Sequence, residues 1–213
     1  MKKIIGITFG MIMLSSITLQ AQHDVKTNFL GLLFKNYGLG YEFIINDEMG
    51  AGLSFSYSQS LLGFDTKDYS ALNITPDFRF YTNPEDGADG FYFGGYINYA
   101  KVGLDNLTLS LSTETTDANG YTTTTYADVP YNYTLTGVAL GIELGRKWVT
   151  NSGVFFETNF GIGRYLTTSH SYSDTRVKDY YETTDSKGFE EGMDWFYTFD
   201  YRFGLNIGYR FGQ

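Results

Sequence analysis

The segment TTSHSYSD (167–174) sets hydroxyls, one imidazole and a carboxylate side by side: Ser169, His170, Ser171, Ser173 and Asp174. These are the ingredients of nucleophilic catalysis, in which a base activates a hydroxyl and a third group orients the base. No oriented third group is evident from the spacing, and a serine-rich loop with one histidine reads first as a polar loop. The other histidine of the mature chain, His23, lies beside the expected new N-terminus and is expected to be disordered. The acids that follow (Asp174, Asp179, Glu182, Asp185, Glu190, Glu191 and Asp194) lack the spacing of a calcium loop and read as solvated surface. The chain has no Cys, so thiolate metal sites and disulfides are excluded. Its glycines are spread along the chain and form no phosphate loop. No cofactor is implied.

A second group of chemically capable residues is defined by period. Glu42, Asp77, Glu143, Glu157 and Asp200, with Lys26, Arg79, Lys147, Arg202 and Arg210, each sit among residues that alternate with an apolar series. The clearest series is WFYTFDYRFGLNIGYRF (195–211), in which every second residue from Trp195 to Phe211 is apolar or aromatic. Such alternation specifies strands with one apolar and one polar face. Eight segments carry it, at about 26–34, 37–45, 49–59, 72–82, 90–103, 133–148, 153–166 and 195–211. In 133–148, Val138, Leu140, Ile142 and Leu144 oppose Gly137, Ala139, Gly141, Glu143 and Gly145. In 49–59, Ala51, Leu53, Phe55 and Tyr57 oppose glycines and serines.

Composition agrees with an all-β chain. The 213 residues include 19 Tyr, 18 Phe and 25 Gly, and runs of strong helix formers are missing. Lys2 and Lys3 precede the apolar run Ile4 to Leu14, and Leu19-Gln20-Ala21 follows. This is the pattern of a secretory leader, residues 1–21, cleaved after Ala21 to leave one domain, 22–213. Removing it takes away two of the 15 bases and none of the 24 acids. So acidic a mature chain makes nucleic acid an unsuitable partner.

The identity of the two faces decides the medium. A soluble barrel would carry mostly Lys, Glu and Thr on its outward face. Here the face opposite the bulky residues is Gly, Ser and Asn with a few charges of both signs, which suits the crowded interior of a narrow barrel. The bulky face then meets lipid. Connections alternate in length. Short ones follow strands two, four and six (Asn46-Asp47-Glu48, about 82–89, and Thr150-Asn151-Ser152). Longer ones, at about 60–71, 104–132 and 167–194, follow strands three, five and seven. The first connection, Lys35-Asn36, is the exception. Asp117-Ala118-Asn119-Gly120 marks a tight turn, so strands five and six should continue past the membrane as a Thr-rich hairpin. A similar hairpin could turn at Asp185-Ser186-Lys187-Gly188.

The leader, the alternating strands, the loop parity and the terminal Tyr209-Arg210-Phe211 together resemble small Gram-negative outer-membrane β-barrels over the whole mature chain. More narrowly, KTNFLGLL (26–33), GLGYEFIIN (38–46) and TPDFRFYTN (75–83) resemble a family of such barrels of unassigned function, with its Pro-acid-x-Arg-aromatic strand. The extended hairpins are similar to those of the outer-membrane protein X and A barrels. The resemblance implies a transmembrane, antiparallel, up-and-down barrel of eight strands. Short turns and both termini would lie in the periplasm, with two long hairpin loops outside. It implies that Tyr209 and Phe211 form a signal for the barrel-assembly machinery, although Gly212 and Gln213 follow them. Lipid A deacylases on such barrels use a His-x-Ser spacing, and here Tyr172 stands in the serine's place.

The ten charges then point inward. Five acids face five bases, and a barrel of this width is filled by side chains, so they should pair. Glu42, Glu143 and Glu157 are expected to cluster with Arg79 and Arg210 toward the periplasmic half. Lys101, Trp148 and Arg164 fall on the outward face as interface residues, the two cations within reach of lipopolysaccharide phosphates. The preferred reading is a non-enzymatic surface protein that meets an external protein or ligand, or supports envelope integrity, through loops 104–132 and 167–194. A small channel for ions or apolar solutes is the alternative. A lipid-modifying enzyme built on His170 and a soluble periplasmic barrel are further classes.

Overall fold

A computed structural model describes residues 22–59, 68–82, 88–183 and 198–212. Eight strands, β1 (Gln22–Asn28), β2 (Asn36–Asn46), β3 (Met49–Ser58), β4 (Tyr69–Tyr81), β5 (Gly90–Thr116), β6 (Thr122–Val149), β7 (Val154–Tyr172) and β8 (Phe199–Phe211), pair in chain order. All pairings are antiparallel. The sheet closes where β1 meets β8, with Asp24 opposite Arg210 and Lys26 opposite Gly208. Two short helices, α1 (Phe29–Leu33) and α2 (Thr175–Thr183), follow β1 and β7. The connections carrying α1, the 117–121 turn and α2 share one end of the barrel, the loop end. The turns at 47–48 and 150–153 share the other with Gln22 and Phe211.

The alternation translates directly into inside and outside. On β5, Phe91, Phe93, Ile97 and Tyr99 are exposed on the outer wall, while Tyr92, Gly94, Tyr96, Asn98 and Ala100 are buried inside. The outer wall is a continuous apolar belt, with Phe93 50% and Ile142 66% exposed. This inversion, apolar outside and polar inside, is that of a transmembrane barrel. The described residues contain no helix long and apolar enough to cross a membrane; the strands do the crossing.

The interior is filled by pairing large with small. A side-chain carbon at Gly141 would overlap the ring of Tyr96, and one at Gly145 the ring of Tyr92. At Gly161 and Gly163 it would lie 3.1 Å and 2.8 Å from Tyr96. The glycines that look like weak points in β6 and β7 are the room into which the β5 tyrosines fit.

The structure moves several sequence boundaries. The first strand was expected at 26–34; β1 instead runs 22–28, and Phe29–Leu33 coil into α1. The cause is local: the Asn28 side chain accepts a hydrogen bond from the Gly31 amide at 3.0 Å and caps the turn. The first connection is therefore longer than Lys35-Asn36, and the parity exception disappears. The last strand begins at Phe199; residues 195–197 lie outside the described residues. His23, expected to be disordered, belongs to β1, and its Nδ1 lies 2.5 Å from the Tyr41 hydroxyl.

Strands β5 and β6 continue beyond the barrel as an ordered ribbon, from Leu107↔Tyr131 to Thr116↔Thr122. Ten residues at about 3.4 Å each give it a length of about 34 Å. A bulge at the rim, where Asn106 adopts φ 54° and pairing with β4 has just ended at Leu104, sets it off from the wall. The tip closes at Gly120 (φ 83°), with the Asp117 carboxylate accepting from the Asn119 and Tyr121 amides at 2.9 Å each. The second expected hairpin differs. β7 does extend to Tyr172, but Thr175–Thr183 form α2 instead of continuing as strand, and the turn at 185–188 lies outside the described residues.

Because Gly145 and Tyr92 occupy the same space, Gly145→Val is expected to destabilise the barrel by about 1–3 kcal/mol. Adding Tyr92→Ala should recover part of the loss. The temperature at which the folded band converts to the unfolded band on SDS gels measures both; an unaffected Gly145→Val protein would refute the interlock.

Candidate functional site in the barrel lumen

Each inward charge is placed by the pleat of its strand, and the antiparallel register brings them together in tiers. Nearest the turn end, Arg210 of β8 grips Asp24 of β1 with two hydrogen bonds of 2.8 Å, and also donates to the Ala88 carbonyl at 2.9 Å. Lys147 of β6 reaches across the lumen to Asp24 and Glu42, both at 2.8 Å, and to the Tyr81 hydroxyl at 2.7 Å. Tyr81 in turn donates to Glu42.

The middle tier centres on Arg79 of β4. Its Nη1 donates to Glu42 and, across the barrel, to Glu157, each at 3.0 Å. Its Nε donates to Asp77 at 2.7 Å and lies 2.9 Å from Glu143. Since Nε carries one hydrogen and directs it at Asp77, Glu143 Oε1 keeps the ionic contact without an aligned hydrogen bond. Lys26 holds both oxygens of Glu157, at 2.7 Å and 2.9 Å. The guanidinium of Arg79 stands 4.6 Å from the centre of the Tyr92 ring.

Toward the loop end the charges thin out. Arg202 donates to Asp200 at 3.1 Å and to Thr75, and Thr75 donates to Asn98 at 3.1 Å. Asn98 donates to Asn73, and Asn206 links Glu157 to Asn159. Here a polar cavity of about 230 Å³ opens above the middle tier, with Arg79, Glu143 and Glu157 among its lining residues and Asn36, Ser56 and Asn73 nearer the loops.

The structure thus places Lys26, Glu42, Asp77, Arg79, Glu143, Lys147, Glu157, Asp200, Arg202 and Arg210 inside the barrel. It corrects the expected grouping in two ways. Arg210 pairs with Asp24 and not with the three glutamates. The described lumen holds six acids, since Asp24 is fully buried there. An alternation that begins at Lys26 leaves Asp24 out, although Asp24 shares that residue's parity on β1 and the parity is the signal that finds it. Tyr81, Tyr92 and Tyr96 were missed because aromatic residues inside strands read as outward.

The other candidates fall outside the lumen. Lys101 and Arg164 are exposed on the outer wall in the loop-end half, Lys101 opposite Leu72 and Arg164 opposite Leu140. Trp148 is 41% exposed near the turn end. Tyr209 and Phe211 lie on the outer wall with rings 4.8 Å apart, edge to face. His170 is on β7, not in a loop, and its Nδ1 lies 2.5 Å from the Tyr133 hydroxyl. Ser169 and Ser171 sit at alternate positions and so leave the strand on the face opposite His170. Asp174 holds Arg176 through two side-chain bonds of 3.1 Å and 2.7 Å; this pairing lowers its carboxyl to about 2. Among the described residues no group of three or more metal-ligating side chains converges.

A family model matches residues 7–211, nearly the whole chain. The chain belongs to the family described as protein of unknown function (DUF3575). No curated protein matches the family member in sequence. Among solved structures it is similar to the N-terminal β-barrel domain of Pseudomonas aeruginosa OprF (10% identity, 90% of this chain and 96% of that one, TM-score 0.36). It is also similar to Acinetobacter baumannii CarO2 (8%, 90% and 98%, TM-score 0.40). A third is a major outer membrane protein from Thermus thermophilus (14%, 90% and 99%, TM-score 0.39).

Removing one partner of a buried ion pair costs roughly 3–5 kcal/mol because the other charge is left uncompensated. Arg79→Met is therefore expected to cost that much. Arg202→Met, whose side chain is 23% exposed and whose ion-pair partner among the described residues is Asp200, should cost clearly less. Urea unfolding of the two refolded variants compares them; equal losses would show that the Arg79 tier is not a buried network.

Proposed function

We propose that this family member is a non-enzymatic outer-membrane barrel that acts at the cell surface through its β5–β6 ribbon. The observation that carries this reading is the ribbon itself, a paired and capped projection of about 34 Å with no barrel strand on either side among the described residues. Its two edges carry backbone groups that can pair with a strand from an external partner. The orientation follows from the same reading: termini and short turns in the periplasm, ribbon and α2 outside, leader 1–21 removed during export. The C-terminal Tyr209 and Phe211 would serve the barrel-assembly machinery, and Lys101 and Arg164 would meet lipopolysaccharide phosphates at the outer rim.

Deleting residues 108–128 is expected to leave a folded, heat-modifiable barrel in the outer membrane while abolishing attachment of intact cells to whatever surface they bind. Retained attachment would exclude the ribbon.

A small channel is the second reading, and the cavity of about 230 Å³ in the loop-end half of the lumen favours it. Against it stand the cross-lumen ties from Lys147 and Arg79, which fill the turn-end half. Refolded protein in a planar bilayer is expected to give no steady conductance; reproducible openings would put transport in place of the surface role.

A further inference from the structure

The outer wall carries one feature that a uniform lipid-facing belt does not explain. Two neighbouring rows of side chains cross from the turn end of β5 to the middle of β8. One row is Phe93, Leu144, Phe160 and Phe203; the next is Phe91, Arg146, Thr158 and Leu205. Thr158 is the short member between larger neighbours. Over it lies an outward groove of about 440 Å³, walled by Phe91, Phe93, Leu144, Phe160 and Phe203.

Arg146 stands at the turn-end side of this groove. Its guanidinium lies 4.7 Å from the Phe91 ring centre and 5.0 Å from that of Trp148, so two aromatic faces hold it. Its Nε is covered, yet among the described residues it donates no hydrogen bond. A cation on the lipid face costs about 2–4 kcal/mol at the midplane and little at the interface, which is where Trp148 places it. What the site offers is a fixed positive charge at headgroup level, held between two aromatic rings and continuous with an apolar groove running toward the midplane.

We propose that this groove binds one anionic glycerophospholipid, its phosphate on Arg146 and an acyl chain along the phenylalanine wall. Charge complementarity selects the occupant: a neutral apolar molecule would leave Arg146 unanswered, and a free anion would leave the groove empty. The inference rests on the membrane reading given above.

The test reconstitutes refolded mature protein bearing Trp195→Phe, so that Trp148 is the remaining tryptophan. The vesicles are phosphatidylcholine containing either dibrominated phosphatidylglycerol or dibrominated phosphatidylcholine, and fluorescence quenching is read. Brominated phosphatidylglycerol is expected to reach half-quenching at about a fivefold lower mole fraction, the preference one basic residue gives for anionic lipid. Arg146→Gln should bring the two lipids together. Thr158→Leu, which fills the groove and keeps the charge, should weaken quenching by both brominated chains. Equal quenching by the two lipids in the parent, or a preference that survives Arg146→Gln, overturns the site. Flotation of the same samples separates the two ideas. Protein that stays out of the vesicles overturns the membrane reading and the site with it. Protein that floats without preference overturns the site alone.

Discussion

A charge inside an eight-stranded barrel must find its partner across a lumen only a few side chains wide. The walls of this barrel face an apolar medium, and bulk water does not reach the turn-end half. Lys147, Glu42 and Asp24 are all fully buried. Charges so placed persist only when hydrogen-bonded and paired. The rest of the lumen follows from this. Lys147 spans from β6 to β1 and β2, Arg79 from β4 to β7, and Arg210 joins the closing strands β8 and β1. The same ties that satisfy the charges also fix the register at which the sheet closes.

Filling the lumen with charges sets a volume problem that the glycines solve. Long side chains that lean into the lumen need room on the strand beside them. Gly50 lies against Glu42, Gly52 against Asp77, and Gly141 and Gly145 against Tyr96 and Tyr92. The tyrosines add more than volume, since Arg79 and Arg202 each stack over one of them. Toward the loops the ties become amides and hydroxyls, the packing loosens, and a cavity appears. The two halves of the lumen are therefore built differently: the turn end is closed by charge, and the loop end is polar and open.

The wall does different work. Its apolar belt answers to lipid, but Arg146 shows that the belt is not featureless. Aromatic side chains there hold a cation on the outer wall, 4.7 Å and 5.0 Å from two ring centres. Beyond the opposite rim the strands escape the constraint altogether. The β5–β6 ribbon needs neither an apolar face nor a filled interior, and its sequence turns to Thr and Ser accordingly.

Period alone determined much of this. Alternating residues with an apolar face too continuous for a solvated wall and a second face of Gly, Ser and Asn fixed strand type, number and sidedness, because one face of every strand must meet one medium. The Asn119-Gly120 turn made the ribbon legible for the same local reason. What period could not reach was decided by partners distant in sequence or by caps. Asn28 ends β1 early and turns FLGLL into a helix. Tyr92 and Tyr96 point inward because glycines on β6 and β7 make space for them. Asp24, and not the glutamates, takes Arg210 because the β1–β8 register sets them opposite. Pairing within a closed lumen depends on which strands face one another across it, and only the closed barrel supplies that.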